Sequence, residues 1–122
     1  MSKTDILRLP EYLRHIFEAI ERIVQYTENM DEIVFLSDTK TQDAVIRNFE
    51  IIGEASRNIE RYHKRFADEH DYLPLGFAYE MRNALSHGYF KVDLEIVWKT
   101  IHASLPELHV QVKQLLDTGK FG

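Results

Sequence analysis

The chain has 122 residues, 44% hydrophobic and 29% charged, with a formal net charge of −5 and no cysteine. That composition is ordinary for a globular protein, and the length suits a single domain over residues 1–122 that buries roughly two-thirds of its unfolded surface. No apolar run approaches the ~20 residues needed to span a bilayer. Zero cysteines exclude disulfides and thiolate metal sites, and an acidic pI of about 5.6 argues against broad, salt-driven nucleic-acid binding. The opening residues, Met1-Ser2-Lys3-Thr4-Asp5, lack the charged-then-apolar pattern of a signal peptide, so a cytoplasmic protein is expected.

Pro10 suits a first helical turn and biases Leu9 away from the helix. After it Leu13, Ile16, Phe17, Ile20, Ile23 and Val24 recur at helical spacing and predict a first helix to about Thr27. Asn29 with Glu32 three positions on reads as a capping pair for a short helix through Leu36. Ser37, Asp38 and Thr39 then offer caps for a long helix. In it Val45, Phe49, Ile52, Ala55, Ile59, Tyr62 and Phe66 step by threes and fours over six turns. Gly53 interrupts that run at ~1 kcal/mol against alanine, which predicts another helix crossing closely at that point.

Asp68 to Pro74 forms a polar loop. A further helix from about Leu75 places Phe77 or Ala78, Met81 and Leu85 inward. Asp93 is a cap for the last helix, with Val92 and Val97 as a hydrophobic staple. Leu94, Trp98, Ile101, Leu105, Leu108, Val112 and Leu115 alternate steps of four and three, the seam of a helix packed lengthwise in a bundle. Pro106 should kink this helix near His102, whose carbonyl loses its partner. Lys120-Phe121-Gly122 reads as a frayed tail. No strand pattern, repeat or linker breaks the series. The expected fold is all-α, an up-and-down bundle of four to five helices.

The stretch Met81-Arg82-Asn83-Ala84-Leu85-Ser86-His87-Gly88-Tyr89 concentrates the chemistry. On a helix Arg82 and His87 lie about 140° apart round the axis, but Gly88 is placed to end the helix in the left-handed C′ conformation. His87 would then stand at the last turn, where the helix dipole favours the imidazolium and Arg82 opposes it. The result is a histidine suited to moving protons. A duller reading is a helix-end charge complement worth under about 1 kcal/mol when exposed. The other five histidines, His15, His63, His70, His102 and His109, share no paired ligand spacing and form no His-Glu-x-x-His, so neither a metal site nor a cofactor is expected.

Arg-Asn-x-x-x-His followed by x-Tyr resembles the signature of the HEPN superfamily, specifically its HepT-like toxins. The likeness extends through Ile51-Ile52-Gly53-Glu54-Ala55 and Val92-Asp93-Leu94-Glu95-Ile96-Val97-Trp98, and covers nearly the whole chain. The resemblance implies a HEPN-like helical ribonuclease, acting as a homodimer and paired with a minimal nucleotidyltransferase antitoxin. Carried over, the family's arginine falls on Arg82, its polar second position on Asn83, its histidine on His87 and its tyrosine on Tyr89.

Metal-independent RNA cleavage needs the 2′-hydroxyl deprotonated, the leaving 5′-oxygen protonated and the phosphorane charge offset. One histidine does not readily serve oxygens on opposite sides of an in-line displacement. Two copies of His87 across a dimer axis can, with the two Arg82 guanidiniums clamping the phosphate and Asn83 or Ser86 orienting it. Tyr89 is either a packing tyrosine or an exposed phenol able to stack a base or be modified. The resemblance to the HepT-like group implies that this tyrosine is the acceptor for adenylylation by the partner nucleotidyltransferase.

Arg57, Arg61, Lys64 and Arg65 form a basic stripe along the long second helix, either a guide for an RNA backbone or a solvated face paired through Glu60 and Lys64. Glu54 sits among apolar neighbours, as an arginine partner or a surface group. Three functions compete. One is a homodimeric toxin of the RNA-cleaving kind; the second is a catalytically silent helical module that binds a nucleotidyltransferase and helps present its substrate; the third is a plain helical dimerisation domain. The Arg82–His87 pair favours the first.

Overall fold

The computed structural model describes residues 7–75 and 93–119. Beyond buried Leu75, the helix expected to carry Phe77, Met81 and Leu85 lies outside these residues. So do Val92 and the Lys120–Gly122 tail. Among the described residues there are six helices and no strand: α1 (Leu9–Thr27), α2 (Glu32–Ser37), α3 (Thr39–Tyr62), α4 (Lys64–Glu69), α5 (Leu94–Ala103) and α6 (Leu105–Thr118). The all-α bundle is the architecture found. None of these helices is long and apolar enough to cross a membrane.

The first turn of α1 contains Pro10, and the carboxylate of Glu11 accepts from the Arg8 backbone N–H at 3.3 Å. Leu9 is already the first helical residue, one step earlier than the proline's effect on its predecessor implies. Leu13, Ile16, Ile20 and Ile23 are fully buried, whereas Val24 is half exposed because the apolar stripe drifts off the contact face at the end of the helix. Thr27 closes α1 by donating its hydroxyl to the Ile23 carbonyl at 2.8 Å.

Asn29 does not cap α2. It takes a left-handed φ of 66°, a conformation asparagine tolerates better than most residues. Asp31 is the cap, accepting from the Val34 N–H at 2.9 Å. Asp38 caps α3 through Thr41, accepting from its N–H at 3.1 Å and its hydroxyl at 2.8 Å. Gln42 donates to the Phe35 carbonyl at 2.9 Å and ties the end of α2 to the start of α3. Gly53 is buried on α3.

The most extensive packing is between α1 and α3. Leu7, just ahead of α1, touches His63 at the end of α3, so the two helices run antiparallel. Phe35 is fully buried on α2 and meets Trp98 of α5 with ring centres 5.3 Å apart. α6 lies along α1, where His109 stacks on Phe17 at 4.7 Å.

Two of the expected long helices are divided. The second ends at Tyr62 instead of running to Phe66: His63 has φ −132° and ψ 49°, and α4 starts afresh at Lys64. In the last, Asp93 caps as expected, accepting from Glu95 and Ile96. The effect of Pro106 falls at Ser104, which separates α5 from α6. The proline occupies a first-turn position of α6, where its missing N–H costs nothing. Ile101, Leu105, Leu108, Val112 and Leu115 stay buried across the break, while Leu94 and Trp98 are only partly covered and Val97 takes the innermost place.

Two outcomes follow from this packing. Phe35→Ala should destabilise the fold by about 3–5 kcal/mol in urea titration, because a fully buried ring joins α2 to α5. The Asp38 carboxyl is held below the usual carboxylate range by the Thr41 backbone N–H and then the Thr41 hydroxyl. The folded state therefore takes up that proton less readily than the unfolded chain, so the stabilisation is complete above the unfolded value and fades as pH falls through the folded one. Asp38→Asn, which keeps a capping oxygen, should lose less stability than the wild type between about pH 6 and about pH 3.

Candidate nucleic-acid interface

The four cations of the expected stripe fall on two helices. Arg57 and Arg61 are one turn apart and exposed near the end of α3; Lys64 and Arg65 open α4. The corner between them is pinned. The His63 N–H donates to the Ile59 carbonyl at 2.8 Å, and its own carbonyl accepts from the Ala67 N–H at 3.0 Å. Its ring Nε2 lies 3.1 Å from the Leu7 carbonyl oxygen. A carbonyl can only accept, so Nε2 carries the hydrogen. The same ring meets Tyr12 edge-on at 5.8 Å, and the Tyr12 hydroxyl accepts from the Leu7 N–H at 3.0 Å. The start of α1 thus holds the corner in place.

That corner changes the expected ion pairing. Lys64 pairs with Asp68 at 3.6 Å, not with Glu60, and Arg65 pairs with Glu69 at 3.1 Å. As residues of α4, Lys64 and Arg65 find their i+4 neighbours on that helix. Both cations are largely exposed, and exposed pairs of this kind are worth about 0.2–1 kcal/mol, little to give up for another anion. The Arg61 guanidinium lies 5.3 Å from the centre of the Tyr62 ring, a cation–π distance. Tyr62, His63, Lys64, Arg65 and Glu69, with Leu9 of α1, line a groove of about 360 Å³.

A second groove of about 370 Å³ runs between α1 and α3, where Tyr12 and His15 face Arg47, Glu50, Glu54 and Asn58. Its carboxylates outnumber its guanidinium, so it offers phosphate no net attraction. Glu54 is exposed on α3. Arg82, Asn83, Ser86, His87 and Tyr89 all lie outside the described residues.

Three other histidines among the described residues make contacts of their own. His70 and His102 each direct Nδ1 to the carbonyl four residues back, at 3.0 Å, and each packs against the ring there, Phe66 or Trp98. His109 Nε2 comes within 3.4 Å of Glu21 Oε1, at an angle that makes no hydrogen bond. Among the described residues no three His, Asp or Glu side chains gather into a possible metal site. Tyr62 and His63 carry no expected site role in the sequence, because Tyr62 falls in the apolar spacing of the long helix and His63 among isolated histidines.

The family model described as "Ribonuclease HepT-like" matches residues 16–115. The chain is 44% identical to "Probable ribonuclease HepT" of Thermococcus cleftensis, over 86% of this chain and 93% of that protein. It is 36% identical to a "Putative RNase" of Caldanaerobacter subterraneus subsp. tengcongensis, over 89% of this chain and 95% of the relative. A Methanocaldococcus jannaschii protein named "Gamma-glutamylcyclotransferase and putative RNase" is 37% identical over 87% of this chain, which corresponds to 46% of that longer protein. No solved structure gives a significant match. With a family match spanning residues 16–115 and close relatives aligned over nearly their whole length, the chain belongs to the ribonuclease HepT-like family.

Proposed function

We propose that this chain is a metal-independent endoribonuclease that works as a homodimer, the toxin of a toxin–antitoxin pair whose antitoxin is a minimal nucleotidyltransferase. The observation that carries this reading is the family match over residues 16–115 in a chain that has both Arg82 and His87. A module that only presented a partner's substrate would have no need of a guanidinium and an imidazole together.

The chemistry follows from the residue types. One His87 takes the proton from the substrate's 2′-hydroxyl, and the oxygen attacks the adjacent phosphorus. The bond from phosphorus to the 5′-oxygen breaks, and the partner's His87 protonates that leaving oxygen. The two Arg82 guanidiniums neutralise the phosphorane, with Asn83 and Ser86 orienting its oxygens. The products are a 2′,3′-cyclic phosphate and a 5′-hydroxyl. Arg57, Arg61, Lys64 and Arg65 guide the RNA backbone toward the cleft, a local basic track on an otherwise acidic chain. Adenylylation of Tyr89 places a bulky anion beside the phosphate clamp and silences the enzyme.

Arg82→Ala and His87→Ala should each lower RNA cleavage by about 10²–10⁴-fold, in EDTA as in magnesium, with the helical circular-dichroism signal retained. Cleavage that vanishes in EDTA and returns with magnesium would contradict the mechanism. Mixed dimers test the shared site. Wild type paired with His87→Ala should be nearly inactive, and retention of about half the activity would mean each protomer works alone.

The control point has its own test. Tyr89→Phe should cleave RNA yet resist silencing by an adenylylating partner. If mass spectrometry shows AMP still added and activity still lost, Tyr89 is not the acceptor.

A further inference from the structure

Four grooves on the described surface differ in what they offer a nucleotide. The α1–α3 groove carries Glu50 and Glu54 against Arg47. A groove beside Leu73 sets Glu60, Asp68 and Asp71 against Lys64 alone. One beside Pro74 has Tyr72 but Glu107 as its charged group. The groove at the α3–α4 corner is different. It joins two cations, Lys64 and Arg65, to one carboxylate, Glu69, and places the rings of Tyr62 and His63 beside them.

Single-stranded nucleic acid is held by that pairing of chemistries, a π-face for the base and a nearby cation for the phosphate. The volume of about 360 Å³ falls at the small end of the range for small-molecule pockets, room for one unstacked nucleotide and not for a paired duplex. Arg61 is not part of the groove lining, but its guanidinium lies 5.3 Å from the centre of the Tyr62 ring and adds positive charge nearby. The corner is also stiff, since the His63 backbone closes α3 and opens α4 while its ring is fixed to Leu7. Little ordering remains to be done when a ligand arrives.

We propose that the α3–α4 corner is a subsite for one nucleotide of single-stranded RNA outside the cleavage site, with the base against Tyr62 and its phosphate between Lys64 and Arg65. This rests on the ribonuclease reading above. Glu69 works against phosphate here, because its carboxylate occupies Arg65 at 3.1 Å. Asp68 does the same at Lys64, at 3.6 Å, so binding exchanges two exposed pairs for a phosphate and RNA affinity is tuned by how readily Glu69 and Asp68 release their cations.

The test uses the full-length protein carrying His87→Ala, to prevent turnover, and a fluorescent single-stranded oligouridylate followed by anisotropy. Tyr62→Leu should weaken binding roughly ten-fold or more, and Tyr62→Phe should restore it. Lys64→Gln should reduce the slope of log affinity against log salt by about 0.7, the share of one phosphate contact on a single strand. Glu69→Gln should tighten binding several-fold. In the active enzyme Tyr62→Leu should raise KM more than it lowers kcat.

Tyr62 is half-buried, so its variants are compared only at matched Tm; Lys64 and Glu69 are exposed and give readings independent of folding. If wild type cleaves RNA and His87→Ala does not, yet Tyr62→Leu, Lys64→Gln and Glu69→Gln all bind as their parent does, the subsite is wrong and the ribonuclease reading stands. If wild type neither cleaves nor binds RNA, both fall.

Discussion

The antiparallel seam of α1 against α3 is the constraint on which the described structure depends. Leu13, Ile16, Ile20 and Ile23 from one helix and Val45, Ile52 and Ile59 from the other are all but completely buried. Each such side chain stabilises the fold by about 1.5–3 kcal/mol as an upper bound. The other helices take their places from this pair. α2 is fixed to the start of α3 through Gln42 and the Phe35 carbonyl, and α6 lies on α1 through the Phe17–His109 stack. The corner at His63 is set by contact with residues just ahead of α1. The RNA-binding surface proposed on α3 and α4 therefore depends on how α1 begins.

Buried polar groups are handled mostly within their own helix. Ser56 is fully buried and donates to the Ile52 carbonyl at 2.7 Å; Thr100 does the same to Ile96 at 2.8 Å. Asn48 donates to the Ala44 carbonyl at 2.9 Å, and its Oδ1 has no hydrogen-bond partner among the described residues. Local back-bonds of this kind satisfy a hydroxyl without demanding anything of the neighbouring helix. The packing of α1 against α3 is left mainly to aliphatic side chains, which tolerate small shifts better than directional bonds do.

Much of this was legible in the sequence because it is local. Helical spacing identified the buried faces of α1 and α3, and Asp38 and Asp93 cap as their positions imply. What was not legible depends on contacts far along the chain. Nothing near residue 63 signals a break: there is no proline or glycine, and Phe66 follows Tyr62 at a helical interval. The carbonyl that meets the His63 ring belongs to Leu7, 56 residues away. Asn29 and Asp31 are both competent caps, and the left-handed turn at Asn29 decides between them. Pro106 was readable as a disruption, but a proline two positions past Ser104 is equally at home starting a new helix, and the chain takes that option.

The same distinction separates the legible and illegible parts of the candidate interface. Residue types and spacing single out Arg57, Arg61, Lys64 and Arg65, since cations one turn apart share a helical face. That reasoning assumes one continuous helix. Once His63 divides it, Lys64 and Arg65 turn to Asp68 and Glu69, and Tyr62 and His63 move from the interior of a helix to the lining of a corner. On the proposed reading, an acidic chain that handles an anionic polymer gains from this arrangement. Exposed pairs keep the cations neutralised against nonspecific attraction, yet each pair is weak enough for a phosphate to displace. An aromatic ring beside them adds an attraction that salt does not screen. Affinity concentrated at the proposed subsite, one ring and two cations, would need no basic surface elsewhere, which reconciles a net charge of −5 with the proposed RNA-directed role.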